Sequence, residues 1–315
     1  MSLRPPHTRP GADFDAKPGR LAARMQRASH QGCRCALLGL PDDLGVQLNG
    51  GRPGARTGPS QFRAALARFG VAWDGLRGRE LDLHVYDAGD VEPAPGDDES
   101  ALLETHRRVL DAVTSLHEHG LIPVCIGGGH DLSLPAISAL GRRTGTALGG
   151  INLDAHLDVR ARVGSGMPFR QLIEAEHLDA RRFVEVGLGR FSNDAHDLEW
   201  ISARGATLIY AETVLERGLD ADALLAHAAS GGAAFVSIDL DGLDQSVAPA
   251  VSAPSPLGLR LQDAARLAEA AGAHPAVRHF DLMEFCPPFD LDSRTARSAV
   301  LLFLHFLAGL MEREG

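Results

Sequence analysis

Three apolar runs in this chain stop abruptly against side chains of the metal-binding types, and this limits the fold more than any other feature. Residues 146–153 are small and apolar and lead into Asp154-Ala155-His156-Leu157-Asp158. Residues 235–238 lead into Asp239-Leu240-Asp241, and residues 121–126 into Gly127-Gly128-Gly129-His130-Asp131. Short apolar runs of this kind read as strands buried on both faces. In an extended chain, side chains at i, i+2 and i+4 point the same way. The spacing therefore predicts Asp154, His156 and Asp158 on one face at a strand end, with Asp239 and Asp241 paired on another. Two carboxylates and an imidazole on one face suit a metal ion better than a core. Taken singly, any one stretch also fits a solvated polar strand end. Taken together, they fit an open α/β sheet, where ligands collect at the carboxyl ends of the strands.

The rest of the chain alternates strand and helix patterns, which means crossover connections and a mainly parallel sheet. Strands are expected at 35–40, 81–86, 183–187, 207–210 and 277–283. Helices are expected at 59–69, 100–116, 132–140, 169–176, 194–203, 221–229, 261–271 and 295–311. Ser100, with Glu104 after it, is the expected N-cap of the second. Residues 1–31 are basic and rich in Pro and Gly, and read as a loose N-terminal arm. Residues 32–315 read as one domain, since no linker or composition shift divides them.

If the three strand ends adjoin, Asp154, Asp158, Asp239 and Asp241 share one small site. Four carboxylates cannot all stay ionised at close range without cations. Two divalent ions would balance them. An oxygen-rich set with two imidazoles, His130 and His156, favours Mn2+ over tetrahedral structural zinc. The net charge of −10, from 31 basic and 41 acidic residues, argues against a nucleic-acid surface. No apolar run is long enough to span a membrane, and no signal-peptide pattern is evident, so a cytoplasmic chain is expected. Cys125 and Cys286 read as buried thiols, and Cys33 and Cys35 as an incidental pair. Asp131 reads as a helix cap or a partner of the site, and Asp244 as a turn or supporting residue.

The motifs Gly-Gly-Gly-His-Asp, Asp-Ala-His-Leu-Asp and Ser-Ile-Asp-Leu-Asp, in this order, resemble the ureohydrolases: arginase, agmatinase and formimidoylglutamase. The resemblance runs from about Cys35 to the C-terminus. It implies an arginase-like three-layer α/β/α sandwich with a binuclear manganese site, two Mn2+ per subunit. One ion would take His130, Asp154, Asp158 and Asp239, and the other Asp154, His156, Asp239 and Asp241. It also implies a trimer or hexamer acting on a small molecule. Glu284 matches the family carboxylate that clasps amidine or guanidine nitrogens. Asp158, beside the hydroxide of such a site, is the expected carrier of a proton to the leaving nitrogen. Arginase and agmatinase carry a catalytic histidine in the loop after the central motif, whereas none occurs here between His156 and His177. The Asp158-Val159-Arg160 and Gly164-Ser165-Gly166-Met167-Pro168-Phe169-Arg170 stretches look instead like formimidoylglutamase.

Arg160 and Arg170 are then the expected partners of two substrate carboxylates, as in N-formimidoyl-L-glutamate. Arg52, in the Asn49-Gly50-Gly51-Arg52-Pro53-Gly54 loop, is either structural or a substrate contact. The expected activity is hydrolysis of this linear amidine to L-glutamate and formamide, a late step of histidine breakdown. The alternatives are a guanidino-acid hydrolase, such as guanidinobutyrase or agmatinase, and an inactive metal-binding regulator on the same fold.

Overall fold

A computed structural model describes residues 3–313. Its centre is a nine-stranded sheet. In chain order the strands are β1 (Thr8–Arg9), β2 (Cys35–Leu40), β3 (Val85–Val91), β4 (Ile122–Gly127), β5 (Leu148–Leu153), β6 (Leu178–Leu188), β7 (Thr207–Tyr210), β8 (Ala234–Asp239) and β9 (Val277–Met283). The spatial order is β1-β3-β2-β4-β9-β8-β5-β6-β7. Every pairing is parallel except that of β1 with β3. The four strands at the middle of the sheet, β4, β9, β8 and β5, carry the site residues at their carboxyl ends.

Helices cover both faces, and the sequence alternation shows how. In β2, Cys35 and Leu37 point into a core shared with Phe62, Leu267, Phe303 and Phe306. Ala36, Leu38 and Leu40 point the other way, toward Val109, Leu116 and Ala136. These residues come from α1 (Gly58–Phe69), α5 (Leu261–Ala273) and α6 (Arg294–Leu310) on one side, and from α2 (Glu99–Glu118) and α3 (Ser133–Thr144) on the other. A sheet covered on both faces is the three-layer α/β/α sandwich.

The differences from expectation have local causes. The strand expected at 81–86 lies instead at Val85–Val91, where it pairs with β2. Its Asp87 and Asp90 had masked the apolar pattern, and they are buried because Arg63 reaches both, at 2.9 and 2.6 Å. The cap of α2 is Asp98, whose side chain accepts from the Ala101 N–H at 2.9 Å, rather than Ser100. Within the expected N-terminal arm, β1 pairs with β3, Leu3 and Leu21 are buried, and the Gln26 N–H donates to the Val85 carbonyl. Among the described residues no helix is long and apolar enough to cross a membrane. All four cysteines are free, and burial pushes the Cys35 thiol up to about 12.

Candidate metal centre

The central motif does not continue as a strand. β5 ends at Leu153, and the chain turns. Asp154 Oδ1 accepts the His156 N–H at 2.7 Å, and Asp239 Oδ1 accepts the Asp241 N–H at 2.8 Å. Each is a short aspartate turn that presents the side chain two residues on. Simple strand alternation therefore does not describe this backbone: turns, and not an extended chain, bring these side chains together. Asp158 sits in the left-handed region at φ 48°, which a non-glycine residue adopts at a cost. That backbone, held by the Phe169 N–H on the Asp158 carbonyl, turns its carboxylate back toward His130.

His130 is the hub. Its Nδ1 lies 3.0 Å from Asp158 Oδ2, 3.0 Å from Asp239 Oδ2 and 3.3 Å from Asp154 Oδ2. His156 Nδ1 lies 3.2 Å from Asp241 Oδ2 and 3.4 Å from Asp154 Oδ1. The donor atoms fall into two groups, His130–Asp154–Asp158–Asp239 and Asp154–His156–Asp241, which share Asp154. The first is the full set the resemblance implied for one ion. The second lacks only Asp239, whose Oδ1 is on the Asp241 amide. Gly128 is required where the segment after β4 passes the carboxyl end of β2, because a Cβ there would stand 1.7 Å from the Asp42 carbonyl oxygen.

These donors fit a divalent pair. His130, Asp154, Asp239 and Asp241 are buried, Asp158 and His156 are partly exposed, and no arginine or lysine of the described residues pairs with any of them. His130 Nδ1 and Asp241 Oδ1 have no hydrogen-bond partner. Without cations the two imidazoles take that place. Burial alone would lower His130, but the carboxylates of Asp154, Asp158 and Asp239 gathered around its Nδ1 hold it well above its ordinary value. Asp241, and to a lesser extent burial and Asp154 acting in opposite senses, hold His156 strongly up. Burial raises Asp239 well above the carboxylate range and Asp241 to about 7, while burial works against and the two imidazoles outweigh it in lowering Asp154. The cluster is a candidate cation site, and its imidazoles and raised carboxyls are the groups whose protons would compete with a cation.

Cation uptake must displace those protons. The expected result is release of at least about two protons per chain when Mn2+ is added near pH 7. Affinity should fall as pH drops through 7, where Asp241 takes up its proton. Calorimetry of metal-free protein in buffers of different ionisation enthalpy checks this, and heats independent of the buffer would contradict it.

The site opens into a cleft of about 170 Å³, lined among others by Asn49, Gly51, Arg160, Ser252 and Glu284. Glu284 follows β9 with φ 65° and is buried. Its Oε1 accepts the His130 N–H at 2.9 Å, and its Oε2 has no partner. Burial, with Asp239 next, keeps its carboxyl well above the usual range. Arg160 lines the cleft with its guanidinium in no ion pair among the described residues, its N–H on the Gly166 carbonyl at 2.8 Å.

Arg170 is not at the cleft. It is buried, its Nε donates to the Val159 carbonyl at 2.5 Å, and its guanidinium lies 3.4 Å from Asp197 and 4.0 Å above the Trp200 ring. It lies in the first turn of α4 (Pro168–Glu174), on the buried side of that helix with Phe169 and Leu172. Arg52 is likewise structural: it donates to the Ser252 and Val251 carbonyls and stacks on Phe289. Asp131 caps no helix and instead meets His106 Nε2 at 2.7 Å. Asp244 forms a turn with the Ser246 N–H. Sequence reasoning had not singled out Ser252 or Ser165 of the cleft. It had also passed over Glu185, whose only signal was a lone acid inside an apolar strand.

A model of the arginase family matches residues 33–309. A formimidoylglutamase of Nocardia farcinica is 35% identical over 274 residues, which cover 85% of this chain and 84% of that protein. A guanidinobutyrase of Pseudomonas aeruginosa is 29% identical over 282 residues, 87% of this chain and 86% of that one. Among solved structures, the formiminoglutamase of Trypanosoma cruzi with Mn2+ superposes with a TM-score of 0.86 and 34% identity, covering 94% of this chain and 99% of that one. With its motifs on adjoining strand ends and the family match spanning most of its length, this chain belongs to the arginase family.

Proposed function

We propose that the protein hydrolyses N-formimidoyl-L-glutamate with water to L-glutamate and formamide. The observation that carries this is one small cleft that joins the cation cluster, the free oxygen of Glu284 and the unpaired guanidinium of Arg160. The Nocardia relative and the Trypanosoma structure carry that activity in their names, and the latter contains Mn2+. The proposed cofactor is two Mn2+ per chain, held by His130, Asp154, Asp158 and Asp239 and by Asp154, His156, Asp239 and Asp241. When bound, the ions supply Lewis-acid polarisation and make hydroxide available near neutral pH.

The chain's own residues do the rest. Glu284 accepts N–H bonds from the planar amidinium and fixes the amidine carbon over the cluster. Its Oε1 is already locked by the His130 N–H, so its approach is set before substrate arrives. Asp158 has a carboxylate at the cleft and a slightly exposed side chain. It takes the proton that the attacking water loses and delivers it to the glutamate nitrogen as the C–N bond breaks. The products balance: the amidine carbon leaves as formamide and the amine as glutamate.

With Arg170 engaged elsewhere, a single arginine among the described residues faces the cleft. Arg160 takes one substrate carboxylate, and the Asn49, Ser165 and Ser252 polar groups lie beside it for the other. A guanidino acid with one carboxylate is the second reading, favoured by that single arginine and by the guanidinobutyrase relative. A charge-assisted contact contributes about 1.5–3 kcal/mol, or roughly one to two powers of ten. Arg160→Ala should raise KM for N-formimidoyl-L-glutamate by about ten- to a hundredfold and leave metal content unchanged. It should barely alter turnover of a formamidine that lacks carboxylates. Equal damage to both substrates would mean that Arg160 organises the loop instead of reading the substrate.

A further inference from the structure

One layer beneath the metal ligands, a row of polar side chains crosses four neighbouring strands: Glu185 on β6, Asn152 on β5, Ser237 on β8 and Asp281 on β9. The sheet register puts them side by side, Glu185 opposite Asn152, Asn152 opposite Ser237 and Ser237 opposite Asp281. All four are 0% exposed. Polar groups at this depth are costly unless each is used. One half of the row has an evident use. Ser237 Oγ meets His130 Nε2 at 2.9 Å and donates to Asp281 at 2.5 Å, and Asp281 is held in turn by Ser133 and His279, each at 2.9 Å.

The other half has a matching geometry. The Asn152 amide spends one N–H on Glu185 Oε2 at 2.9 Å and the other on Asp154 Oδ2 at 3.2 Å. That Asp154 oxygen is the one facing His130, and its companion is already held by the His156 N–H. Glu185 therefore anchors the amide whose second hydrogen aims the shared carboxylate. Neither Glu185 nor Asn152 is well served as a mere core residue. Glu185 Oε1 and Asn152 Oδ1 have no partner, and no arginine or lysine of the described residues pairs with Glu185. An apolar pair of similar shape would hold the fold at least as well.

We propose that Glu185 is a positioning residue of the metal centre, acting through Asn152 to orient Asp154 toward the cation on the His130 side. This rests on the metal-binding reading of the cluster. Supporting partners of metal ligands typically contribute ten- to a hundredfold in affinity.

The test is Mn2+ titration of metal-free protein, with the dissociation constant of each ion and the metal-free Tm measured for three variants. In Glu185→Leu/Asn152→Leu, the His130-side ion should bind about ten- to a hundredfold more weakly. The other ion should change by less than about threefold, and the metal-free Tm should not fall. Glu185→Met alone should show the same selective loss, which keeps the test available should the double variant fail to fold. Glu185→Gln keeps an acceptor for Asn152 and should stay within about threefold of wild type. Wild-type affinity in the double and Met variants would overturn the inference. So would Glu185→Gln falling as far as the Leu pair, since the carboxylate would then act by charge and not by its hold on Asn152. A wild-type chain that takes up no Mn2+ would overturn the metal reading itself.

Discussion

Asp154→Asn should abolish tight binding of both cations and cut activity by at least about a thousandfold. Asp154 is shared by both clusters of converging donor atoms, with Oδ2 toward His130 and Oδ1 toward His156, whereas Asp239 converges with the His130 cluster alone. The amide keeps the size and one acceptor oxygen, so the His156 N–H retains its partner while the charge is lost. His130→Asn, by contrast, touches one group only and should leave the Asp154–His156–Asp241 side able to bind. The same difference should appear in thermal stability. A ligand at a thousand times its dissociation constant stabilises the folded state by about 4 kcal/mol. For a chain of this size that is a rise in Tm on the order of 5–10 °C on adding Mn2+. Asp154→Asn should show little or none of this rise. A variant that binds two ions and keeps its activity would remove Asp154 from the centre of the account.

The second large effect belongs to Glu284→Gln. This substitution preserves the Oε1 acceptor for the His130 N–H and changes only the free oxygen into an amide nitrogen. It removes the negative charge that faces the amidinium and offers a donor where an acceptor is needed. Loss of a charge-assisted pair together with misorientation at the reacting carbon should lower kcat/KM about a hundredfold or more. Glu284 belongs to neither donor group, so two ions should still bind. Burial already holds this carboxyl above its usual range, so neutralising it should not cost stability. Turnover within a factor of about three of wild type would show that the amidine is held by something else.

Much of this site could be read from the residues, because the information sits in runs whose burial is obvious. β2, β7 and β9 lie where the apolar pattern placed them, and β5 and β8 end against their ligands. What could not be read was geometry set by turns and by partners far away in the chain. Asp158 and Glu284 both owe their direction to a left-handed backbone, which no periodicity announces. Arg170 looked like Arg160 in sequence, yet a helix start and Trp200 draw it inward. Strand β3 was obscured by Asp87 and Asp90, whose partner Arg63 lies on another element. The N-terminal residues looked loose because their few apolar groups, such as Leu3 and Leu21, are buried by elements distant in sequence. Glu185 passed as an ordinary strand residue, since its meaning lies in the neighbouring strand at Asn152.

The cleft leaves the choice between a formimidoyl dicarboxylate and a guanidino monocarboxylate to the groups around Arg160. The direct measurement is kcat/KM of the Mn2+-loaded protein for N-formimidoyl-L-glutamate, 4-guanidinobutyrate, agmatine and arginine under one set of conditions, with the products identified. The account predicts release of L-glutamate and formamide, with kcat/KM for N-formimidoyl-L-glutamate at least about a hundredfold above each guanidino compound. Release of urea from 4-guanidinobutyrate at an equal or higher kcat/KM would contradict it.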